Sequence, residues 1–111
     1  MVLASLVEQL NLTVRCCGER LDQNISGGYV GDLLSDVIAH SDRGNVWITR
    51  QSHHNIVAVA ELKEHAGIIV VLGRNPEDET VKRAEEAGIP ILTTELTGFE
   101  VAGKLYEFLH R

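Results

Sequence analysis

Aromatic residues are scarce in this chain: one Trp, two Tyr and two Phe, or 5% of the sequence. So few rings cannot fill an interior, and the core must be built from Val, Ile, Leu and Ala. Basic residues are also in the minority. Lys and Arg number 10 against 16 Asp and Glu, giving a net charge of −6. That balance lacks the electrostatic footprint of a nucleic-acid binder and the basic face that would hold an anionic membrane surface. No apolar run approaches the ~20 residues that cross a bilayer. The first apolar residues follow no basic stretch and are interrupted at Glu8. They do not read as a signal peptide, and a cytoplasmic protein is expected.

Cysteine is nearly absent too. The two present, Cys16 and Cys17, are neighbours. Adjacent side chains of an extended segment point to opposite faces, so a bridge between them would be strained. One buried and one exposed thiol are expected. Only Arg15 and Arg20 stand close enough in sequence to activate either.

The familiar catalytic signatures are missing. The glycines near Gly28 lack the order GxGxxG, and no acid follows at the usual distance. Gly103-Lys104 is followed by Leu105 inside a helical pattern, where it cannot cradle phosphate. There is no HExxH and no GxSxG elbow. No catalytic residue, cofactor or metal is therefore expected.

What is present is enough for one domain. A chain of 111 residues buries about two-thirds of its unfolded surface and needs neither disulfide nor metal to fold. No internal repeat, low-complexity segment or linker divides it. The clearest unit runs from Asn45 to Gly73. Val46–Thr49 reads as a strand, Arg50–Asn55 as a polar crossing and Ile56–His65 as a helix. Gly67 would stop that helix, which buries Ile56, Val59 and Ala60. Ile68–Leu72 is a continuous aliphatic run, as in a strand buried on both faces of a parallel sheet.

Ahead of this unit, Leu3, Leu6, Val7 and Leu10 have helical spacing, with Asn11 as a stop. Leu12–Cys16 alternates like a half-buried strand, and Gly18–Asn24 turns the chain. A short strand from Ile25 leads to a helix from Leu33, capped by Asp32 and buried through Leu33, Leu34, Val37 and Ile38. Asp32, Asp36 and His40 fall at four-residue steps, as a solvated face or a partner surface. After the unit, Asn75 can cap a helix with Pro76 at its first position and Asp78 as capping-box acid. Gly88 ends it. Pro90–Thr93 is a short strand. Thr97–Glu100 is a second capping box, with Leu96 and Val101 as staple. The last helix would bury Phe99, Ala102, Leu105, Tyr106 and Leu109. This alternation predicts a single α/β domain, a mostly parallel sheet with helices on both faces and right-handed crossovers.

Ligands of such sheets bind beyond the carboxyl ends of the strands. The candidates there are Asp32, Thr49, Gln51, His53, His54, Arg74 and Thr94. Their hydroxyl, amide, imidazole and guanidinium groups, with helix N-termini, suit a small polar or anionic ligand. The same residues also serve as caps and turns. His53 and His54 as a metal pair with Asp32 or Asp36 are disfavoured, because adjacent histidines seldom point the same way. A second reading is an enzyme or phosphoacceptor using His53 or His54, with Arg50 or Arg74 holding the anion.

Three stretches resemble the DRTGG domain family. They are Gly27-Gly28-Tyr29-Val30-Gly31-Asp32 with the helix after it, Trp47-Ile48-Thr49-Arg50-Gln51-Ser52-His53-His54 with the helix after it, and Gly88–Thr94 with Thr97–Ala102. The N-terminal half is also similar to the non-catalytic N-terminal domain of HPr kinase. Leu72-Gly73-Arg74 stands where a Thr-Gly-Gly-like turn is expected. The resemblance implies a regulatory α/β domain, often a dimerisation module, and brings no catalytic residue. The expectation is a homodimeric, ligand-sensing domain. It would bind a small anionic compound (nucleotides and phosphorylated metabolites included) or a partner enzyme or regulator, but neither nucleic acid nor membrane.

Overall fold

The computed structural model describes residues 1–111. Its centre is a pair of strands with no exposed side chain, β3 (Asn45–Thr49) and β4 (Gly67–Val70). β2 (Gly27–Val30) lies parallel beside β3, and β5 (Ile91–Thr93) parallel beside β4. β1 (Thr13–Cys16) closes the far side antiparallel to β5, so the sheet order is β1-β5-β4-β3-β2.

Alternation along the strands splits the core in two. Val46, Ile48, Ile69, Val71 and Leu92 face α1 (Leu3–Leu10) and α5 (Gly98–Leu109), which supply Leu3, Leu6, Leu10, Val101, Leu105 and Phe108. Trp47, Ile68, Val70 and Ile91 face α2 (Leu34–His40), α3 (Asn55–Leu62) and α4 (Asp78–Ala87), which supply Val37, Ile56, Val57, Ala60 and Ala84. From β2 to β5 each strand is added beside the last in one direction, and α2, α3 and α4 share one face, as crossovers of a single hand require. α5 can close on β2 because Gly28 has no side chain: a Cβ there would lie 2.5 Å from Leu105 Cδ2. No helix is long and apolar enough to cross a membrane.

Several expectations are corrected. α2 starts at Leu34, and Asp32 does not cap it. Leu33 and Ile38 are exposed, leaving Val37 as that helix's buried residue. α3 ends at Leu62, and the chain turns through Glu64 in the left-handed region rather than at Gly67, which opens β4. α4 begins at Asp78, not at Pro76, because Asn75 Oδ1 accepts from Arg15 instead of capping and the Glu77 amide donates to Ser52 O. Both thiols are buried, since Cys17 (φ 60°) leaves the extended conformation that would have parted them. α5 turns Val101, Leu105 and Phe108 inward. Phe99 stands 89% exposed and Phe108 only 4%. The Thr97–Glu100 capping box forms in both directions.

His65, beyond the end of α3, is 3% exposed and edge-on to Trp47, with ring centroids 5.7 Å apart. Ser41 Oγ donates to Val37 O at 2.6 Å, so the imidazole Nε2–H must donate to Ser41 Oγ, 2.8 Å away. Its Nδ1 is then a buried lone pair without a partner. Burial, reinforced by the Lys63 charge, lowers its pKa from 6.5 to about 4.

Two outcomes follow from this packing. Phe108→Ala should cost about 3–5 kcal/mol in urea unfolding, the range for an emptied aromatic core site. Phe99→Ala should stay within about 0.5 kcal/mol, as exposed changes do. Reversed costs would mean that α5 is rotated. The second outcome concerns pH. The unfolded chain binds a proton at His65 more readily than the fold does, so the contribution is intact above pH 6.5 and is lost as pH falls toward 4. The slope is at most about 1.4 kcal/mol per pH unit. Melting temperatures across that window should fall for the wild type and flatten in His65→Phe.

Candidate functional site

The strand ends bring the sequence candidates to one edge but not into one pocket. They form three groups.

The first surrounds Asp32, just past β2. Its Oδ1 accepts from Thr49 Oγ1 and from the Arg50 amide, both at 2.8 Å, and its Oδ2 accepts from Arg50 Nε at 2.9 Å. Gln51 Nε2 donates to the Asp32 carbonyl at 3.0 Å, and the Gln51 amide to Thr49 Oγ1 at 3.1 Å. Trp47 Nε1 donates to Gly31 O at 2.8 Å. Burial opposes charge on Asp32 but is outweighed by the Arg50 amide, the Thr49 hydroxyl and the Arg50 guanidinium, and the carboxyl stays below its ordinary pKa. These bonds lace the end of β2 to the end of β3 around a shallow cleft of about 100 Å³.

The second group contains Arg74 and Thr94. They line a wholly polar cleft of about 360 Å³ with Thr13, Arg15, Gly73, Asn75, Thr93 and Glu95. Arg15 Nη1 donates to Asn75 Oδ1 at 3.1 Å. Neither Arg15 nor Arg74 belongs to any of the protein's ion pairs. Thr13 and Arg15 were not among the sequence candidates. β1 runs antiparallel, which carries its first residue to the carboxyl edge opposite Thr93. The register then slips between Val14 and Cys16, a bulge that frees Arg15 to point along the cleft. Nothing local in the sequence signals the direction of β1.

The third group is His53 and His54 before α3. Their rings lie 4.0 Å apart and tilted by 35°. His53 Nδ1 accepts from the Asn55 amide at 3.2 Å. His54 opens on a different cleft, with Glu61, Arg83 and Glu86. Neither imidazole shares a cleft with Arg50 or Arg74. The four-residue stripe is also divided, since Asp32 turns to β3 while His40 Nδ1 sits 3.6 Å from the Asp36 carboxylate.

A sequence profile of the DRTGG domain matches residues 5–108. The chain belongs to the DRTGG domain family. Among solved structures it is similar to the CBS and DRTGG domains of the regulatory region of Clostridium perfringens pyrophosphatase, complexed with the activator diadenosine tetraphosphate. The TM-score is 0.73 at 18% identity, over 93% of this chain and 46% of that one. At that identity the likeness speaks for the fold, and the chain spans less than half the length of that neighbour. No match is found among curated proteins.

In this DRTGG domain the turn after β4 reads Leu72-Gly73-Arg74, with Leu72 at φ 62° and Gly73 at φ 66°. Their amides donate to Leu96 O and Thr94 O, which fastens the turn to the segment after β5. Glycine is favoured at 73 by its φ of 66°, and the exposed Glu95 carboxylate lies over the space a Cβ would take. The turn thus holds Arg74 at the cleft without engaging its side chain.

The Asp32 network makes its own prediction. Asp32→Ala leaves the Thr49 hydroxyl and the Arg50 amide without their acceptor and should cost about 1.5–3 kcal/mol. Arg50→Ala removes only a solvent-screened partner and should cost less than about 1 kcal/mol. Chemical denaturation of both variants checks the order. Equal costs would show that the carboxylate serves only the ion pair.

Proposed function

We propose that this domain is a non-catalytic regulatory module. It senses a small anionic ligand, a nucleotide or another phosphorylated compound, at the carboxyl edge of its sheet. The observation that carries the reading is the polar cleft holding Arg15 and Arg74. Two guanidiniums outside every ion pair, three threonine hydroxyls and Asn75 surround it, with Glu95 as the single carboxylate on its wall. Arginine forks match phosphate oxygens in pairs, and the hydroxyls can donate to the same oxygens. Family membership supports the regulatory role. So does the neighbour described above, whose DRTGG domain belongs to a pyrophosphatase regulatory region solved with a nucleotide activator. Asp32, Thr49 and Gln51 then act as the rigid frame of the edge, while His53 and His54 lie before α3, outside the cleft that holds Arg15 and Arg74.

The same reading places the module in the cytoplasm as a homodimer, or docked on a partner enzyme or regulator. β2 is a free edge strand of the sheet. Val30, Leu33, Phe99 and Tyr106 are exposed apolar side chains on or near β2 and α5. Free edges and apolar patches are surfaces that proteins cover.

Thermal shift with adenosine polyphosphates, dinucleoside polyphosphates and inorganic phosphate tests the ligand. A binder at 100 times its dissociation constant adds about 2.7 kcal/mol of stability. Arg74→Ala and Arg15→Ala should each abolish the shift while leaving the ligand-free melt near the wild type. A shift that survives both substitutions places the ligand elsewhere.

A further inference from the structure

The vicinal cysteines lie outside the anion cleft, where the end of β1 meets the last turns of α4. We propose that Cys16, Cys17 and Glu85 form a binding site for a thiophilic divalent cation of the zinc class, with solvent as fourth ligand. One sulfur from each cysteine and one carboxylate oxygen of Glu85 lie within 4.8 Å of one another. Donors about 2.3 Å from a tetrahedral ion stand about 3.8 Å apart. Cys17 Sγ and Glu85 Oε2 are already 3.7 Å apart, so a small closure of the remaining distances completes the set.

The backbone is arranged for this convergence. Cys17 adopts φ 60°, ψ 40°, a region that non-glycine residues seldom occupy and that concentrates at functional sites. An extended Cys17 would send its thiol away from that of Cys16. Instead it turns back over α4, and its own amide donates to Glu85 Oε2 at 3.0 Å. That bond fixes the carboxylate beside both sulfurs.

The two sulfurs lack strong partners of their own. Cys16 Sγ reaches Ile89 O at 3.5 Å and Cys17 Sγ reaches Ala84 O at 3.4 Å, both weak thiol contacts. Burial raises both thiol pKa values, Cys17 to about 12, with Glu85 and Glu19 adding to the effect. A cation reverses that balance by binding the thiolates and releasing their protons. An open cleft of about 620 Å³ reaches Cys16 past Asp78, Glu85 and Glu86, with Arg15 and Lys82 also on its walls. It offers an entry path and room for a water. Two thiolates with one carboxylate select zinc or cadmium over magnesium and calcium.

Titration of the untagged, reduced chain with Zn²⁺ and Cd²⁺ tests the site. The expected result is one ion per chain, release of two protons per ion, and a sulfur-to-cadmium charge-transfer band in the ultraviolet. Mg²⁺ should not compete. Cys16→Ser and Cys17→Ser should each abolish the band's saturation at one ion. Glu85→Gln keeps an acceptor for the Cys17 amide and should weaken binding roughly tenfold or more. Alkylation of the wild-type thiols should slow when Zn²⁺ is added, a readout that does not depend on the serine variants folding. Absence of one-to-one binding by either ion, binding unchanged in Cys17→Ser or Glu85→Gln, or alkylation unaffected by Zn²⁺ would overturn the proposal. The anion cleft plays no part in this test.

Discussion

Every side chain of β3 and β4 is buried, whichever face of the sheet it falls on. Strands of this kind cannot border water, so helices must cover both faces. The rest of the architecture answers that demand. α2, α3 and α4 cover one face as crossovers, and α1 and α5 cover the other from the two ends of the chain. Polar groups enter the interior only where a partner waits. Asn45 receives the Asp42 amide and donates to Ser26, Thr49 donates to Asp32, and Thr80 donates to the Ser52 carbonyl. His65 Nδ1 is the lone exception. With the strand interiors closed to polar chemistry, recognition is confined to the strand ends and the seams between sheet and helices.

The aliphatic runs that impose this constraint are legible in the sequence, and with them the α/β class, the parallel strands and the helices on both faces. Helix orientation is less so where two apolar stripes compete. In α5 the expected stripe is Phe99, Ala102, Leu105, Tyr106 and Leu109. Leu105 is buried and Ala102 and Leu109 pack at the core's margin, but Phe99 and Tyr106 are exposed, while Val101 and Phe108 are buried. The rotation seats Leu105 against the bare backbone of Gly28 on β2, a match between residues far apart in the chain. Helix starts fail for a related reason. Asn75 and Asp32 are good caps by local rules, but each makes a long-range bond instead, to Arg15 and to the β3 end. The Thr97–Glu100 box, with no such rival, forms as its sequence suggests.

The candidate edge was legible as an edge and not as a set of pockets. The strand-end rule picks out residues after each parallel strand, and Asp32, Thr49, Gln51, Arg74 and Thr94 all stand there. It is silent on an antiparallel neighbour, whose first residue arrives at the same edge. Thr13 and Arg15 therefore stay invisible until β1 is seen to pair with β5. Cys16 and Cys17 were misjudged by a sound rule applied to the wrong conformation. Alternation parts neighbouring side chains only while the backbone remains extended, and at Cys17 it does not.

What separates these clusters is how far their polar groups are already satisfied. The Asp32 carboxylate has three donors, one of them the paired guanidinium of Arg50. A ligand arriving there would have to break bonds as strong as those it forms, so the network is suited to holding β2 and β3 in register. Arg15 and Arg74 belong to no ion pair, so a phosphate can engage both without breaking one, sharing the cleft with the Glu95 carboxylate. The two thiols are in the same position toward a soft cation, held by weak contacts to carbonyls that cost little to lose. A scaffold whose strands are sealed on both faces leaves unpaired charge and sulfur only at its periphery, and the two clefts proposed as sites meet at Arg15, the one residue that lines both.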